Sequence, residues 1–380
     1  MLRPTRIGLY AAGLYLLSLL GALIAPVGVS LIEPTPLPAK PVDSKQGIEN
    51  QQVIGFSLNV HYTNQLPKYI RAIDMIADMG CNSLQILTPA FVRDGASTQI
   101  SIPNQPGRCP STEQLMTLLR YAQKRGLKTM LMPTVLFTHP RGNEWRGKIS
   151  PDNWDAWWES YSVTQRHFAN LAQQAGVDVF CVGSELLSTE KQTQRWEKLI
   201  SDIRKDFRGQ LIYATNWDHY HVPTFWEHLD YVGISGYWSM TQDPMDQMLD
   251  TQASFELHQR IIKRWPAIQK SLKDFSRDIQ KPVLITEFGY PSLPWGLKDP
   301  WNYVNAKQVT ATPQVQAIGY RAFCESWQSE IALDRPIPAH GFAGVLFYTW
   351  DPYNGGLSDS GYGVWGKPAQ QILTDWLKAQ

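Results

Sequence analysis

From residue 53 onward the sequence alternates short apolar, β-branched runs with longer segments of helical periodicity, and this alternation constrains the fold more than any other feature. It is typical of a parallel sheet whose strands are buried on both faces and connected by helices. Eight such runs predict a single (β/α)8 TIM barrel of the α/β class over residues 53–380. The predicted strands begin near Val53, Asn82, Leu127, Asp178, Gln210, Asp230, Pro282 and Gly341.

Helix start and stop signals agree with this alternation. The segment Ser111–Arg125 opens with Ser-Thr-Glu and closes at Gly126, and the segment Asn153–Ala175 closes at Gly176. A doubly wound sheet is the alternative, and it would usually carry a Gly-rich phosphate-binding loop after its first strand. Residues 57–61, Ser-Leu-Asn-Val-His, contain no glycine, which favours the barrel.

Two of the predicted strands end in a single carboxylate, Glu185 after Val-Phe-Cys-Val-Gly-Ser and Glu287 after Val-Leu-Ile-Thr. An ionisable group is tolerated only at the mouth of a buried strand, where it can be solvated or paired. Either glutamate alone could be a solvated loop residue. Two glutamates at the same barrel face match glycoside hydrolysis, in which one acid protonates the leaving oxygen and one carboxylate attacks or activates water.

Further polar and aromatic residues follow the predicted strands at the same face. Together they predict an acid-lined cleft with aromatic walls, and tryptophan there suits stacking on the apolar C–H faces of sugar rings. No strand end carries a His/Asp/Glu set with metal-ligand spacing, so the sequence predicts chemistry without a metal or other cofactor. The polar and aromatic residues that form this predicted cleft are Asn216, Trp217, Tyr237 and Trp350. His61 and Asp351 also follow strands, but residues of these types are more often structural.

The first 52 residues lie outside the predicted barrel. Arg3 and Arg6 precede an uncharged apolar stretch over residues 7–32, so residues 1–32 are typical of a signal peptide or a signal anchor. Its length and the absence of a clear small-x-small cleavage motif favour an anchor. Residues 33–52 contain four prolines and predict an extended linker. The barrel is therefore expected outside the cytoplasm, either secreted or held at a membrane through this segment only.

Charge and cysteine content exclude some partners. The net charge is +1 and no basic cluster occurs, which argues against a nucleic-acid partner. Cys81, Cys109, Cys181 and Cys324 have no metal-site spacing and are expected to be mostly small buried hydrophobic residues. A disulfide from Cys81 or Cys109 is the alternative for a protein outside the cytoplasm.

The chain resembles the retaining (β/α)8 glycoside hydrolases of clan A, and more narrowly glycoside hydrolase family 113, the β-mannanase family. The resemblance covers about residues 53 to 378, and an ordered set of motifs is more specific than any single one. It implies that Glu185 is the acid/base and Glu287 the nucleophile. The matching stretches are Glu144–Gly147, Phe180–Leu186, Tyr213–Asp218, Trp226–Tyr237 and Lys281–Tyr290.

Two positions depart from the clan pattern. Clan A enzymes usually have Asn before the acid/base, in contact with the sugar 2-hydroxyl, and this position is Ser184 here. Relatives often have His after the proline of strand three, whereas Pro133 is followed by Thr134. A serine hydroxyl still donates and accepts a hydrogen bond but is shorter than an asparagine amide. Since mannose and glucose differ in the orientation of the 2-hydroxyl, these departures bear on substrate choice rather than on the reaction.

The resemblance implies a double displacement, for which the two carboxyl groups should be about 5–5.5 Å apart. Tyr237 is expected to donate a hydrogen bond that keeps Glu287 ionised and oriented. The expected substrate contacts are Ser184, Asn216, Trp217, Trp350 as a platform under the sugar, and Trp145 and Arg146 from the loop after strand three.

The predicted substrate is a β-1,4-linked polysaccharide or oligosaccharide, with mannan or glucomannan favoured. Other clan A β-glycanase activities and transglycosylation remain open. Two hypotheses from other classes are a carbohydrate-binding pseudoenzyme and a membrane-tethered scaffold that binds protein. Because both glutamates are present, the pseudoenzyme is disfavoured. The scaffold would require an exposed apolar patch away from the strand ends.

Overall fold

The computed structural model describes residues 51–61, 63–103, 107–242, 244, 251–303 and 308–380. Eight parallel strands pair in sequence order and close into a barrel, with β8 also paired to β1. The predicted TIM barrel is confirmed, and every strand begins within one residue of its predicted start. The strands are β1 (Val53–Asn59), β2 (Ser83–Val92), β3 (Lys128–Phe137), β4 (Val179–Ser184), β5 (Gln210–Asn216), β6 (Tyr231–Ser235), β7 (Pro282–Phe288) and β8 (Gly341–Phe347).

Helices surround the barrel, with one departure from regular alternation. The connection from β5 to β6 contains only the 3-10 helix Trp226–His228, whereas two helices, α5 and α6, lie between β6 and β7. The helices are α1 (Leu66–Asp78), α2 (Thr112–Lys124), α3 (Trp154–Ala175), α4 (Thr193–Asp206), α5 (Thr251–Ile262), α6 (Trp265–Ile279), α7 (Pro313–Trp327) and α8 (Pro368–Lys378).

The two helices predicted in detail have the expected ends. Ser111 caps α2 and forms a capping box with Gln114, so that two free N–H groups of the first turn are satisfied. Asn153 caps α3 by accepting from the N–H of Ala156 at 3.1 Å. The helix stops at Gly176, which takes a left-handed conformation with φ of 70° that glycine adopts without steric cost.

The core has two layers because successive strand residues point to opposite faces. Outward-facing residues such as Phe56, Ile285 and Phe347 pack against the helices in the large cluster. Inward-facing residues fill the barrel itself and support the strand ends from below. The inner layer consists of Val53, Leu87, Met130, Met132, Val179, Cys181, Ile212, Ala214, Tyr231, Leu284, Ala343 and Leu346.

The N-terminal predictions for residues 1–32 and most of the linker lie outside the described residues. Gln51 forms a bridge with Pro336, and the Gln52 amide donates to the Phe342 carbonyl at 2.6 Å. Within the described chain, no helix has both the length and the apolar composition needed to cross a bilayer. All four cysteines are buried and free, which confirms their prediction as small hydrophobic residues.

Candidate active site

Glu185 and Glu287 lie at the same end of the barrel, because the strands are parallel and both residues stand at strand C-termini. Each of their strands carries a β-bulge just before its glutamate. In β4 the pairing with β5 shifts between Cys181 and Gly183, and in β7 the pairing with β6 shifts after Ile285. A bulge adds one residue and re-aims the side chains that follow it. The bulges therefore set the direction in which the two carboxylates point.

Glu185 is held at its backbone and at its carboxylate. It has φ of 54°, a left-handed conformation uncommon for a residue with a side chain. Its side chain is nearly buried, and Oε2 accepts from Nη2 of Arg146 at 2.6 Å. Arg146 lies on the 3-10 helix Arg146–Lys148 after β3, and its Nε is buried without a partner among the described residues. The predicted approach of Arg146 to the cleft is found, and its partner is the predicted acid/base.

Glu287 is buried with 3% of its surface exposed, and its Oε2 accepts from the Tyr237 hydroxyl at 2.6 Å. Burial and the negative charge of Glu185 raise the pKa of Glu287 to about 7, while Arg146 and the Tyr237 bond act to lower it. Burial and the charge of Glu287 raise the pKa of Tyr237 well above its ordinary value, so the phenol stays protonated and donates. This is the predicted partnership of Tyr237 and Glu287.

The two glutamates and Arg146 form one electrostatic unit. The charge of Glu185 acts on Glu287, and Arg146 interacts with both carboxylates. When carboxyl groups interact this strongly, their protons belong to the pair and can reside on either group. Because the pKa of Glu287 is raised to about 7, one carboxyl group of the pair keeps a proton until the pH approaches that value. One acid and one carboxylate are what glycoside hydrolysis needs.

Three tyrosines that the sequence analysis did not single out line the cleft beside Glu287. Tyr348 follows β8, and its ring meets Tyr237 edge-on with centroids 6.1 Å apart. The Asn59 amide donates to the Tyr348 hydroxyl at 3.1 Å, so β1 also positions it. Tyr362 packs on Tyr348 at 5.4 Å, and the half-exposed Tyr303 packs on Tyr362 at 6.3 Å. Tyr303 and Tyr362 come from the long loops after β7 and β8, which no strand pattern could place.

Trp350 does not form the predicted platform. It is only 1% exposed, and its ring meets Phe56 edge-on at 5.4 Å within the layer between strands and helices. The reason is the side-chain alternation along β8. Leu346 and Tyr348 pack with the inner layer and Phe347 faces outward, so Tyr348 is the aromatic residue of β8 directed into the cleft.

The residues after β5 lie as predicted at the active end, with different degrees of exposure. Asn216 ends β5, and its Oδ1 is buried without a partner among the described residues. The half-buried Trp217 stacks on Trp301 with centroids 6.1 Å apart. Trp301 belongs to the loop after β7 and was not expected from the sequence. The pair forms an aromatic surface next to Asn216.

The other residues that the sequence analysis proposed for the site differ in their burial and in their contacts. Ser184 is buried and its hydroxyl has no partner among the described residues. The ring of Trp145 folds back over Gly147, where a Cβ would lie 2.5 Å from Cη2. Burial lowers the pKa of His61 to about 4 and keeps it neutral. Asp351 accepts from the N–H groups of Tyr353 and Asn354 at 2.8 and 3.1 Å, which is a structural turn.

A possible metal-ligand group lies away from the cleft. Glu197, Glu227 and His228 bring their ligand atoms within 4.8 Å of one another, the one such group of three among the described residues. They stand on α4 and on the 3-10 helix that precedes β6, toward the N-terminal end of that strand. All three are partly or fully exposed, as acidic surface groups commonly are. Their position separates them from the chemistry of the two glutamates.

A closed (β/α)8 barrel with one carboxylate directly after β4 and another in β7 defines the clan A glycoside hydrolases. The chain belongs to Glycoside Hydrolase Family 113, whose sequence profile matches residues 59–334. The resemblance seen in the motifs is confirmed, and the protein is a glycoside hydrolase. A comparison with curated proteins gives no match.

Solved structures of similar fold include family 113 enzymes. The β-mannanase AaManA from Alicyclobacillus acidocaldarius, solved in complex with ManMIm, has a TM-score of 0.70 at 22% identity, covering 87% of this chain and 98% of that one. A second GH113 β-1,4-mannanase has a TM-score of 0.70 at 23% identity, covering 87% and 100%. A family 5 mannosidase from Rhizomucor miehei has a TM-score of 0.56 at 13% identity, covering 86% and 92%.

Proposed function

We propose that this protein is a retaining endo-β-1,4-mannanase that cleaves mannan or glucomannan. The observation that carries the proposal is the pair of buried carboxylates at one barrel mouth, each with its own partner. Arg146 binds Glu185 and Tyr237 binds Glu287. Different partners give two chemically identical groups different tasks, which a double displacement requires.

In the first step Glu287 attacks the anomeric carbon while Glu185 gives its proton to the glycosidic oxygen. The bond to the leaving sugar breaks, and a covalent glycosyl ester forms on Glu287. Tyr237 holds Oε2 of Glu287, which leaves Oε1, buried and without a partner among the described residues, as the attacking atom. Glu185 must carry the shared proton, so its contact with Arg146 has to loosen as the sugar enters.

In the second step Glu185, now a carboxylate, removes a proton from water. The water attacks the anomeric carbon, the ester to Glu287 breaks, and the anomeric configuration is retained. Arg146 favours the carboxylate form of Glu185 through their 2.6 Å ion pair. It therefore supports the base in this step and opposes the acid in the first, so that Glu185 alternates between its two states.

Charge and shape in the cleft favour a neutral sugar chain. The positive charge of Arg146 is paired with Glu185, so little of it remains to attract an acidic sugar. The tyrosines beside Glu287 and the Trp217–Trp301 pair supply ring faces for the apolar sides of sugars. Mannan is favoured over glucan because solved family 113 relatives are described as β-1,4-mannanases. Ser184 takes the position of the Asn that clan A enzymes usually have, and we expect it to face the 2-hydroxyl whose orientation distinguishes mannose from glucose.

Product analysis tests the substrate. Purified protein is incubated with β-1,4-linked mannan, glucomannan, glucan and xylan, and the products are sized over time. Early release of mixed mannooligosaccharides from mannan supports the proposal. Preferential cleavage of glucan or xylan would assign another clan A activity, longer products than the substrate would assign transglycosylation, and binding without cleavage would assign a pseudoenzyme.

Variants of the two glutamates test the mechanism. Glu287→Ala should abolish turnover because no ester can form, and azide should restore attack with an inverted product. Glu185→Ala should be crippled on polymer but relatively spared on an activated aryl mannoside, which needs no protonation, and azide should there give a retained product. Wild-type rates on polymer in either variant would remove that residue from the mechanism.

We further propose that residues 1–32 take the barrel out of the cytoplasm. The support is the basic start followed by an apolar stretch in the sequence. Cell fractionation with N-terminal sequencing of the recovered protein distinguishes an anchored form from a cleaved, secreted one. Recovery of the intact chain in the cytoplasmic fraction would contradict the proposal.

A further inference from the structure

Glu190 is a buried carboxylate that the mechanism above does not use. It follows the 3-10 helix Leu187–Thr189 and has no exposed surface. Its Oε1 accepts from the hydroxyls of Tyr213 at 2.9 Å and Thr215 at 2.7 Å, and Oε2 lies 3.3 Å from Nδ1 of His219. Burying a carboxylate is costly unless its hydrogen bonds are made, so its position beside the active site calls for an explanation.

The hydroxyl of Tyr213 connects Glu190 to the loop that carries Glu185. This hydroxyl has one proton, which it donates to Glu190, and its oxygen accepts from the N–H of Leu186 at 3.1 Å. Burial raises the pKa of Glu190, while the bonds from Thr215, Tyr213 and His219 act to lower it. In its ionised form the carboxylate can only accept, so it fixes the direction of the Tyr213 hydroxyl and turns a lone pair toward Leu186.

The backbone of Glu185 is consequently held on both sides by two consecutive residues of β5. Its own N–H donates to the Ala214 carbonyl at 2.8 Å, and the next N–H, that of Leu186, donates to Tyr213. Between these two bonds Glu185 has φ of 54°. A left-handed residue with a side chain persists only where its surroundings fix it.

We propose that Glu190 and Tyr213 are positioning residues for the acid/base, holding Glu185 in the backbone conformation that aims its carboxyl group at the glycosidic oxygen. The inference rests on the proposed function. It makes a selective prediction for kcat/KM, which reports formation of the glycosyl ester, because in that step a misplaced acid matters only where the leaving group needs a proton. A purely structural role would lower stability and all activities together.

The test compares Tyr213→Phe with wild type on mannan and on an activated aryl mannoside. The variant removes the one hydroxyl and keeps the ring. The kcat/KM on mannan should fall by about 10- to 100-fold, and the kcat/KM on the aryl mannoside by less than about threefold. Tyr231→Phe is the matched control, because it removes a buried hydroxyl that donates to Gln210 at 2.8 Å at the opposite barrel end. It should leave both rates unchanged.

Glu190→Gln keeps the test decisive if Tyr213→Phe does not fold. The amide oxygen can still accept from Tyr213, but a neutral acceptor is roughly half as strong. We expect kcat/KM to fall by about two- to fivefold on mannan and to stay unchanged on the aryl mannoside. Equal losses on both substrates, or no loss in either variant, overturn the inference. If Glu185→Ala shows the leaving-group dependence and these variants do not, only this inference fails; if wild type does not cleave, the proposed function fails.

Discussion

Arg146 occupies an unusual place for a cation in a cleft that is proposed to act on neutral sugars. Its guanidinium lies against Glu185, the proposed acid/base, and interacts also with Glu287. The fully ionised pair is the state that a positive charge stabilises most. Arg146 therefore lowers the pKa of Glu287, which burial and Glu185 raise, and we expect it to lower the upper pH limit of activity as well.

Replacing Arg146 should widen the active pH range upward. Arg146 lowers the pKa of Glu287, which is about 7, so Arg146→Met should raise it. The basic limb of kcat/KM, which reports the free enzyme, should move up by roughly one pH unit or more. The matched control is Arg166→Met, which removes a surface pair with Asp206 at 2.7 Å. An unmoved limb in Arg146→Met would show that the guanidinium does not control the pair.

Substitutions of Tyr348 and Trp350 should have opposite effects, because only Tyr348 forms part of the wall of the cleft. Tyr348→Ala should raise KM for mannooligosaccharides several-fold, because an aromatic surface beside Glu287 is lost. Trp350→Phe should leave KM unchanged and destabilise the fold by about 1–3 kcal/mol, because its ring fills the outer layer. Steady-state kinetics and thermal unfolding of both variants check this. A KM that rises in Trp350→Phe but not in Tyr348→Ala would show that Trp350, and not Tyr348, is the aromatic residue under the sugar.

The bulges in β4 and β7 are the elements on which the proposed chemistry depends, because each directly precedes one of the two glutamates. Gly183 directly follows the β4 shift and faces the helical layer. A Cβ there would lie 2.7 Å from Trp196 Cη2 and 2.9 Å from the Tyr161 hydroxyl. Only glycine lets the strand come this close to the aromatic cluster without displacing it. Because Glu185 lies two residues further along the chain, any displacement of the strand at Gly183 also moves Glu185.

Gly183→Ala should therefore reduce both stability and catalysis. We expect a loss of about 1–3 kcal/mol in the free energy of unfolding, and a lower kcat per folded molecule on mannan. Gly209→Ala is the control. It is also crowded, with a Cβ 2.8 Å from the Asp178 carbonyl oxygen, but it lies at the start of β5, away from the cleft. It should lose stability and keep kcat, and a kcat loss shared by both would refute the link through the bulge.

How far the sequence predicts this protein depends on the kind of element. Buried parallel strands leave a clear apolar pattern, so strand starts and the positions of Glu185 and Glu287 could be read directly. That Tyr348 rather than Trp350 faces the cleft could not be predicted. It depends on the residue at which β8 ends and the alternation of its side chains stops. Trp301, Tyr303 and Tyr362 lie in loops, whose course the strand pattern does not determine.

The whole fold carries a free-energy cost for the buried carboxyl group of Glu287. A carboxyl whose pKa is raised in the folded state destabilises the protein as pH rises through the interval between the unfolded and folded values. For Glu287 that interval runs from 4.5 to about 7, a cost on the order of 3 kcal/mol above it. Function is here maintained against stability.

Glu287→Gln should remove this cost while keeping an oxygen for Tyr237. Its free energy of unfolding should exceed that of wild type at pH 8 and match it near pH 4, where the carboxyl is protonated in both states. Denaturant unfolding at the two pH values measures the difference. Glu256→Gln, on the exposed surface of α5, is the control and should show no such dependence. A gain that is the same at both pH values would mean that ionisation is not its cause.

The first and last described residues of the chain, Gln51 and Gln380, lie on the same side of the barrel. Gln51 pairs with Pro336, and the Gln380 side chain accepts from the N–H of Leu333 at 3.2 Å, both in the segment that leads into β8. That segment lies at the bottom of the barrel, opposite the mouth that holds Glu185 and Glu287. A solid support, a fused binding module or a second catalytic unit can therefore be attached through either end, and the mouth still points outward toward a long, insoluble polymer.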